Sequence, residues 1–239
     1  MRITIIPNRT KEKTEATLKE LIELLDARKI DYDILELEDF DRVSEHAQKS
    51  DHLLYLGGDG TFIKTAKLAY RRDMALAGIN TGTVGYLTNI DIANMAKWLD
   101  TYQKDDYDEC PVLIYDDEVV INDVVVYATG SFAEFKVSYQ ALNIYTSKAS
   151  GLILSTGFGS TGINLSNRGP VFPITSTDVA ITPILPLRAD GHAYVFPFDS
   201  ELRISADRPF IVDVDGVRDK TERYAIDIKR APKMIRRIR

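Results

Sequence analysis

The sequence predicts an α/β N-terminal domain with a parallel sheet, followed by a β-rich, sandwich-like C-terminal domain. Three observations carry that expectation. Up to about residue 100, β-branched runs alternate with amphipathic helical stretches, the order that βαβ units require. Beyond that point the segments are short, β-prone and separated by turn residues, as in antiparallel sandwiches and barrels. Between one apolar strand and the helix after it lies Gly57-Gly58-Asp59-Gly60, and such turns close the carboxyl edge of parallel sheets.

Taken in order, Arg2–Ile6 is a β-branched run ending at the Pro7-Asn8 turn. From Thr10 to Arg28 the apolar Leu18, Leu21, Ile22, Leu24 and Leu25 recur at helical spacing. Tyr32–Leu37 reads as a strand, Val43–Lys49 as a short helix, and His52–Leu56 as a third strand that enters the glycine turn. A helical pattern resumes over Thr61–Tyr70, and Ala75–Ile79 is a further strand before Asn80-Thr81-Gly82. In the second half the β-prone segments are 111–115, 118–127, 132–145, 151–155, 178–182, 192–198, 201–206 and 210–215, with a brief helix near 161–167. The expected domains are 1–100 and 101–223. The basic segment 224–239 is expected to pack back on the N-terminal domain through Met234, Ile235 and Ile238 while its arginines stay wet.

The chain has 239 residues, 44% hydrophobic and 28% charged, with a net charge of −6. That balance draws the surface toward neither nucleic acid nor anionic lipid, and no apolar run approaches a membrane span. Cys110 is the sole cysteine, which excludes an intrachain disulfide and a cysteine-rich metal site and fits a cytoplasmic protein. No His, Cys and carboxylate cluster has metal-ligand spacing, so a metal is expected only with a bound phosphate.

In the glycine turn, the backbone can approach phosphates without a Cβ in the way, and the next helix offers N–H groups and a positive dipole end. A carboxylate there is out of place unless it takes a proton or organises Mg²⁺, so Asp59 reads as a general base or a metal organiser. The alternative is a plain turn with Asp59 capping the helix through the Thr61 and Phe62 N–H groups. Ser155-Thr156 and Ser160-Thr161 lack the surroundings of a nucleophile. His46 and His52 read as packing residues.

GGDGTF at 57–62, INTGTVGYLTNI at 79–90, Asn122-Asp123 and GLILSTGFGSTG at 151–162 follow one another in an order that resembles the signature blocks of NAD kinases. The resemblance runs from the first strand to the Asp215-Gly216 turn, and no Walker A sequence is present. It implies transfer of a phosphoryl group from ATP, or another donor, with Mg²⁺, to the 2′-hydroxyl of the adenosine ribose of NAD. It implies Asp59 as proton acceptor with Gly58, Gly60, Thr61 and Phe62 around it, and Asn122 with Asp123 on ribose hydroxyls. Tyr86 falls on the dinucleotide cleft of the family, Lys148 before the third block, and Thr161, Gly162, Ile163, Asn164 and Ser166 on the segment that wraps the adenosine. Homodimers or homotetramers are implied as well.

Each position keeps a plainer alternative. Asn122-Asp123 reads equally as a hairpin turn, Tyr86 as a core aromatic and Lys148 as a solvated charge. Several positions depart from the family. Ser150 stands where an Asp is usual, Phe158 replaces a small polar residue with a ring able to stack on a base, and Gly162-Ile163 replaces Ala-Tyr. Leu187 stands where a His is frequent, and Thr83 where an Arg or His is. A lipid kinase of the diacylglycerol or sphingosine type shares the first block, and a dinucleotide binder without turnover is the remaining rival.

Overall fold

The structure is a computed structural model that describes residues 2–37, 51–82, 85–102, 106–187 and 191–239. The expected helix at Val43–Lys49, His46 and Thr83 lie outside the described residues. Two compact units emerge, Met1–Glu109 with Ile235–Arg239, and Cys110–Met234.

The first unit begins with β1 (Arg2–Pro7), α1 (Thr14–Ala27) and β2 (Asp31–Ile34). Then come β3 (His52–Gly57), α2 (Asp59–Arg72), β4 (Ala75–Asn80), α3 (Met95–Thr101) and β5 (Tyr107–Cys110). The first four strands pair in parallel in the order β2-β1-β3-β4. β3 is buried along its whole length, as the near-continuous apolar run HLLYLG requires of an inner parallel strand. β2, at the edge, is short and half exposed. α1 starts later than its periodicity suggests because Asn8 Oδ1 accepts from the Thr10 N–H and hydroxyl at 3.2 and 2.6 Å, holding the chain in a turn. Leu18, Leu21 and Leu25 then press on the sheet with Ile3, Ile5, Leu54 and Leu56.

Tyr55 of β3 lies opposite Gly78 of β4. A Cβ at Gly78 would stand 1.9 Å from the Tyr55 ring, so glycine is what lets the ring cross the neighbouring strand. The buried Tyr55 hydroxyl donates to the Leu87 carbonyl at 3.4 Å, which ties the sheet interior to the loop after β4. Burial and the charge of Asp59 hold its phenol well above the ordinary tyrosine range.

In the second unit, β6 (Leu113–Tyr115), β7 (Glu118–Val120), β8 (Asp123–Ala128), β9 (Ala133–Tyr139), β10 (Leu142–Ala149) and β11 (Gly151–Ser155) precede a short helix α4 (Ile163–Ser166). β12 (Asp178–Ile184), β13 (Tyr194–Pro197), β14 (Glu201–Val214) and β15 (Val217–Arg230) complete an antiparallel sheet. β14 pairs with β9 through Leu202–Ala206 and, past a register shift, with β8 through Phe210–Val214. One long strand thus serves two partners, and the sheet curls around a core that includes Phe135, Val137, Leu152, Leu154, Phe210 and Ile228.

β16 (Ile235–Ile238) returns to the first unit, adds in parallel to β4, and gives the order β2-β1-β3-β4-β16-β5. Ile235 and Ile238 are buried there, whereas Met234, expected to pack with them, is 43% exposed. The arginines of this strand and the arginine that follows it are engaged with acids: Arg236 with Asp73, Arg237 with Asp108, and Arg239 with Asp106 and Asp108. Among the described residues no helix is long and apolar enough to cross a membrane.

Candidate functional site

In the first unit, β3 delivers the chain to Gly58, whose carbonyl accepts the Thr61 and Phe62 N–H groups at 3.0 Å each. The helix head is therefore closed by backbone, and no side chain caps it. Asp59 does not turn back on its own helix. Its Oδ1 accepts from the Leu87 N–H at 3.0 Å and its Oδ2 from the Tyr86 N–H at 3.3 Å, so the capping alternative fails. Two N–H donors from a different strand's loop fix the carboxylate, and a fixed acceptor serves proton transfer better than a mobile one.

Asp59 borders a hollow of about 850 Å³ that Asn8, Lys11, Gly58, Gly60 and Lys64 also line. Asn8, which the sequence reading missed, donates its side-chain amide to Thr61 Oγ1 at 2.8 Å. It follows β1 directly, at the same carboxyl edge of the sheet as the glycine turn, and that placement is its one signal in the sequence. Arg9 pairs with Glu36 and Glu15, and Lys11 and Lys64 are further exposed cations of the hollow. A Cβ at Gly60 would meet nothing within 4 Å. Among the described residues no neighbour demands glycine there. Tyr86 is 65% exposed and is not a core aromatic.

In the second unit, Asn122-Asp123 is not a hairpin turn. β7 pairs with β6, while β8 pairs with β11 and β14, so the pair sits where the chain passes from an edge strand to an inner one. Asp123 opens β8 opposite Ser155 and is buried. Burial first, then the charges of Asp215 and Asp213, push its carboxyl up to about 7. The Asn122 side-chain oxygen is also buried, and no group among the described residues bonds it.

A carboxyl raised in the fold binds its proton more tightly native than unfolded. Its contribution to stability is complete below pH about 4 and is lost as pH rises through about 7. Asp123→Asn removes this loss, so thermal melts at pH 8 should show the variant gaining roughly 1–3 kcal/mol on the parent relative to pH 4. Parallel pH curves for the two proteins would refute it.

Three residues expected to touch a ligand are turned inward. Phe62 is fully buried against Tyr55. Phe158 is 1% exposed and has no open ring face for a base. Asn164 is fully buried: its amide donates to the Ser160 and Pro170 carbonyls at 3.2 and 2.8 Å, and its oxygen accepts from Thr182 Oγ1 at 2.6 Å. Each belongs to the scaffold because burial leaves its side chain no outward surface. Thr161 and Ile163 are partly exposed, and Gly162 and Ser166 are exposed. Lys148 is exposed on β10 with its carbonyl accepting the Leu187 N–H at 2.8 Å, and Ser150 is stitched by backbone bonds to Ala128 and Ile184. Ser155, Thr156 and Ser160 are buried and bonded to carbonyls, as structural hydroxyls are. His52 is buried and paired with Tyr102.

An acid pinned beside a glycine-edged hollow with two lysines, at the carboxyl edge of an open parallel sheet, is an arrangement that suits a phosphorylated ligand. The model of the ATP-NAD kinase N-terminal domain matches residues 3–107, and that of the C-terminal domain residues 116–239. The chain belongs to the NAD kinase family. An NAD kinase of Lachnospira eligens is 31% identical over 167 residues, covering 64% of this chain and 56% of that protein. One from Gemmatimonas aurantiaca is 30% identical over 209 residues, covering 79% and 72%. Among solved structures, an NAD kinase from Archaeoglobus fulgidus in complex with ATP is 22% identical with a TM-score of 0.81, covering 100% of this chain and 94% of that one. The lipid-kinase reading falls with these matches.

Proposed function

We propose that this chain transfers the γ-phosphoryl group of ATP to the 2′-hydroxyl of the adenosine ribose of NAD, giving NADP. The observation that carries this is the Asp59 carboxylate, held by two N–H groups of a separate loop at the rim of the glycine-edged hollow. Asp59 accepts or orients the proton leaving the ribose hydroxyl. Gly60, beside open space, lets the phosphates approach the backbone, and Lys11 and Lys64 offset their charge. Asn122 and Asp123 meet ribose hydroxyls through the buried amide oxygen and the neighbouring carboxyl.

Among the described residues no three His, Cys, Asp or Glu side chains gather into a metal cage. Mg²⁺ would arrive on the triphosphate and offset phosphate charge there. Position and charge complementarity then supply most of the rate. The related archaeal enzyme was solved with ATP, which supports ATP as donor. The test is direct: incubation with NAD, ATP and Mg²⁺ should yield NADP by an NADP-specific dehydrogenase assay. Binding of NAD without any NADP would leave the non-catalytic reading in its place.

A further inference from the structure

The turn Ile121-Asn122-Asp123 is gripped from two sides. On one side, the Asp215 carboxylate accepts the Ile121 N–H at 3.1 and 3.2 Å and the Asn122 N–H at 2.7 Å, and the Asp215 N–H donates to the Asp123 carbonyl at 3.1 Å. On the other, Thr156 Oγ1 donates to the Ile121 carbonyl at 2.6 Å, and its N–H donates to the Asn122 carbonyl at 2.9 Å. A Cβ at Gly159 would stand 2.3 Å from the Asn122 carbonyl oxygen, so the second jaw closes on bare backbone. The backbone donors and acceptors of Ile121 and Asn122 are all accounted for, and the Asn122 side-chain oxygen is left over.

Asp215 reaches this position by an uncommon backbone. It and Gly216 have φ of 50° and 81° and form the two-residue turn between β14 and β15, the conformation that Asp-Gly favours in tight hairpins. The nearby Asp213 is differently employed, paired with Arg218 through two bonds of 2.8 and 2.9 Å. Of the two acids, Asp215 alone bonds the Asn122 backbone.

We infer that Asp215 is a positioning residue of the phosphoryl-acceptor site, its carboxylate setting the backbone of Asn122 and Asp123 so that their side chains meet the ribose. The assignment rests on the kinase reading above. Asp215 touches no reacting atom; its effect passes through the pair. Because its charge also stands against the Asp123 carboxyl with that of Asp213, removing it should ease the ionisation of Asp123, an effect that mere loss of structure does not produce.

The experiment compares the parent with Asp215→Asn, which keeps one acceptor oxygen and tolerates positive φ, and with Asp215→Ala. Steady-state kinetics are run from pH 5 to 9, with calorimetric NAD binding in parallel. Expected are a rise in KM for NAD of about tenfold in Asp215→Ala, partial recovery in Asp215→Asn, and kcat held within about twofold in both. The acid limb of kcat/KM should move down by roughly half a pH unit or more. An unmoved KM and acid limb in folded Asp215→Asn overturns the assignment, as does a loss confined to kcat. If the parent binds NAD without phosphorylating it, the kinase reading fails alone, and the variants' NAD affinity and its pH dependence decide the role of Asp215.

Discussion

Asp59→Asn should lower kcat by about 10³ while leaving the affinity for NAD within about threefold. The size follows from what is removed. A carboxylate that takes or orients a proton in the transition state contributes about 10²–10⁴ to rate. Asp59 has the placement for it, fixed by the Tyr86 and Leu87 N–H groups and bordering the hollow. Asparagine keeps the shape and the acceptor facing Leu87, but it presents an NH₂ to the Tyr86 N–H and cannot accept a proton. The structural cost is one weak hydrogen bond, about 1 kcal/mol, so a melt should show the variant folded under assay conditions. Ground-state contacts to NAD made elsewhere persist, and KM should hold. A kcat within tenfold of the parent would remove Asp59 from the chemistry. A large rise in KM at unchanged kcat would recast it as a binding group.

How much of this was legible from sequence depends on the range over which each contact acts. The inner strands β1, β3 and β4 were plain because parallel strands buried on both faces spell continuous apolar runs. β15 was missed because it carries charges along most of its length and buries Ile226 and Ile228 alone. The hairpins at Asp116-Asp117 and Gln140-Ala141 place non-glycine residues at φ between 50° and 63°. The sequence still breaks between 111–115 and 118–127, but with no glycine signature at Gln140-Ala141 the segment 132–145 reads as a single β-prone stretch. At the site, Gly57-Gly58-Asp59-Gly60 declares itself locally, since strand, turn and helix are adjacent. The grip of Asp215 on Asn122 spans 93 positions and leaves no local trace beyond an Asp-Gly turn. Asn164 shows the opposite failure: position within a motif suggested a ligand contact, and only burial reveals where its amide points.

Asn164→Ala is accordingly expected to damage the fold rather than substrate recognition. The side chain is fully buried and bonds Ser160, Pro170 and Thr182, so alanine strands two carbonyls and a hydroxyl away from water. Buried polar groups left unpaired cost about 1–3 kcal/mol each before relaxation. Sharing among neighbours and partial repacking bring the net loss to about 3 kcal/mol, which lowers Tm by roughly 6–12 °C in a protein of this size. The Ser160 hydroxyl holds its own bond to the Gly157 carbonyl at 2.8 Å, so the preceding loop keeps an independent anchor. At temperatures where the variant is folded, KM for NAD should therefore stay within about threefold of the parent. The competing outcome is a normal melt with KM raised tenfold or more. That result would mean the amide leaves its buried bonds to meet the adenosine, and the scaffold assignment of Asn164 would have to be withdrawn.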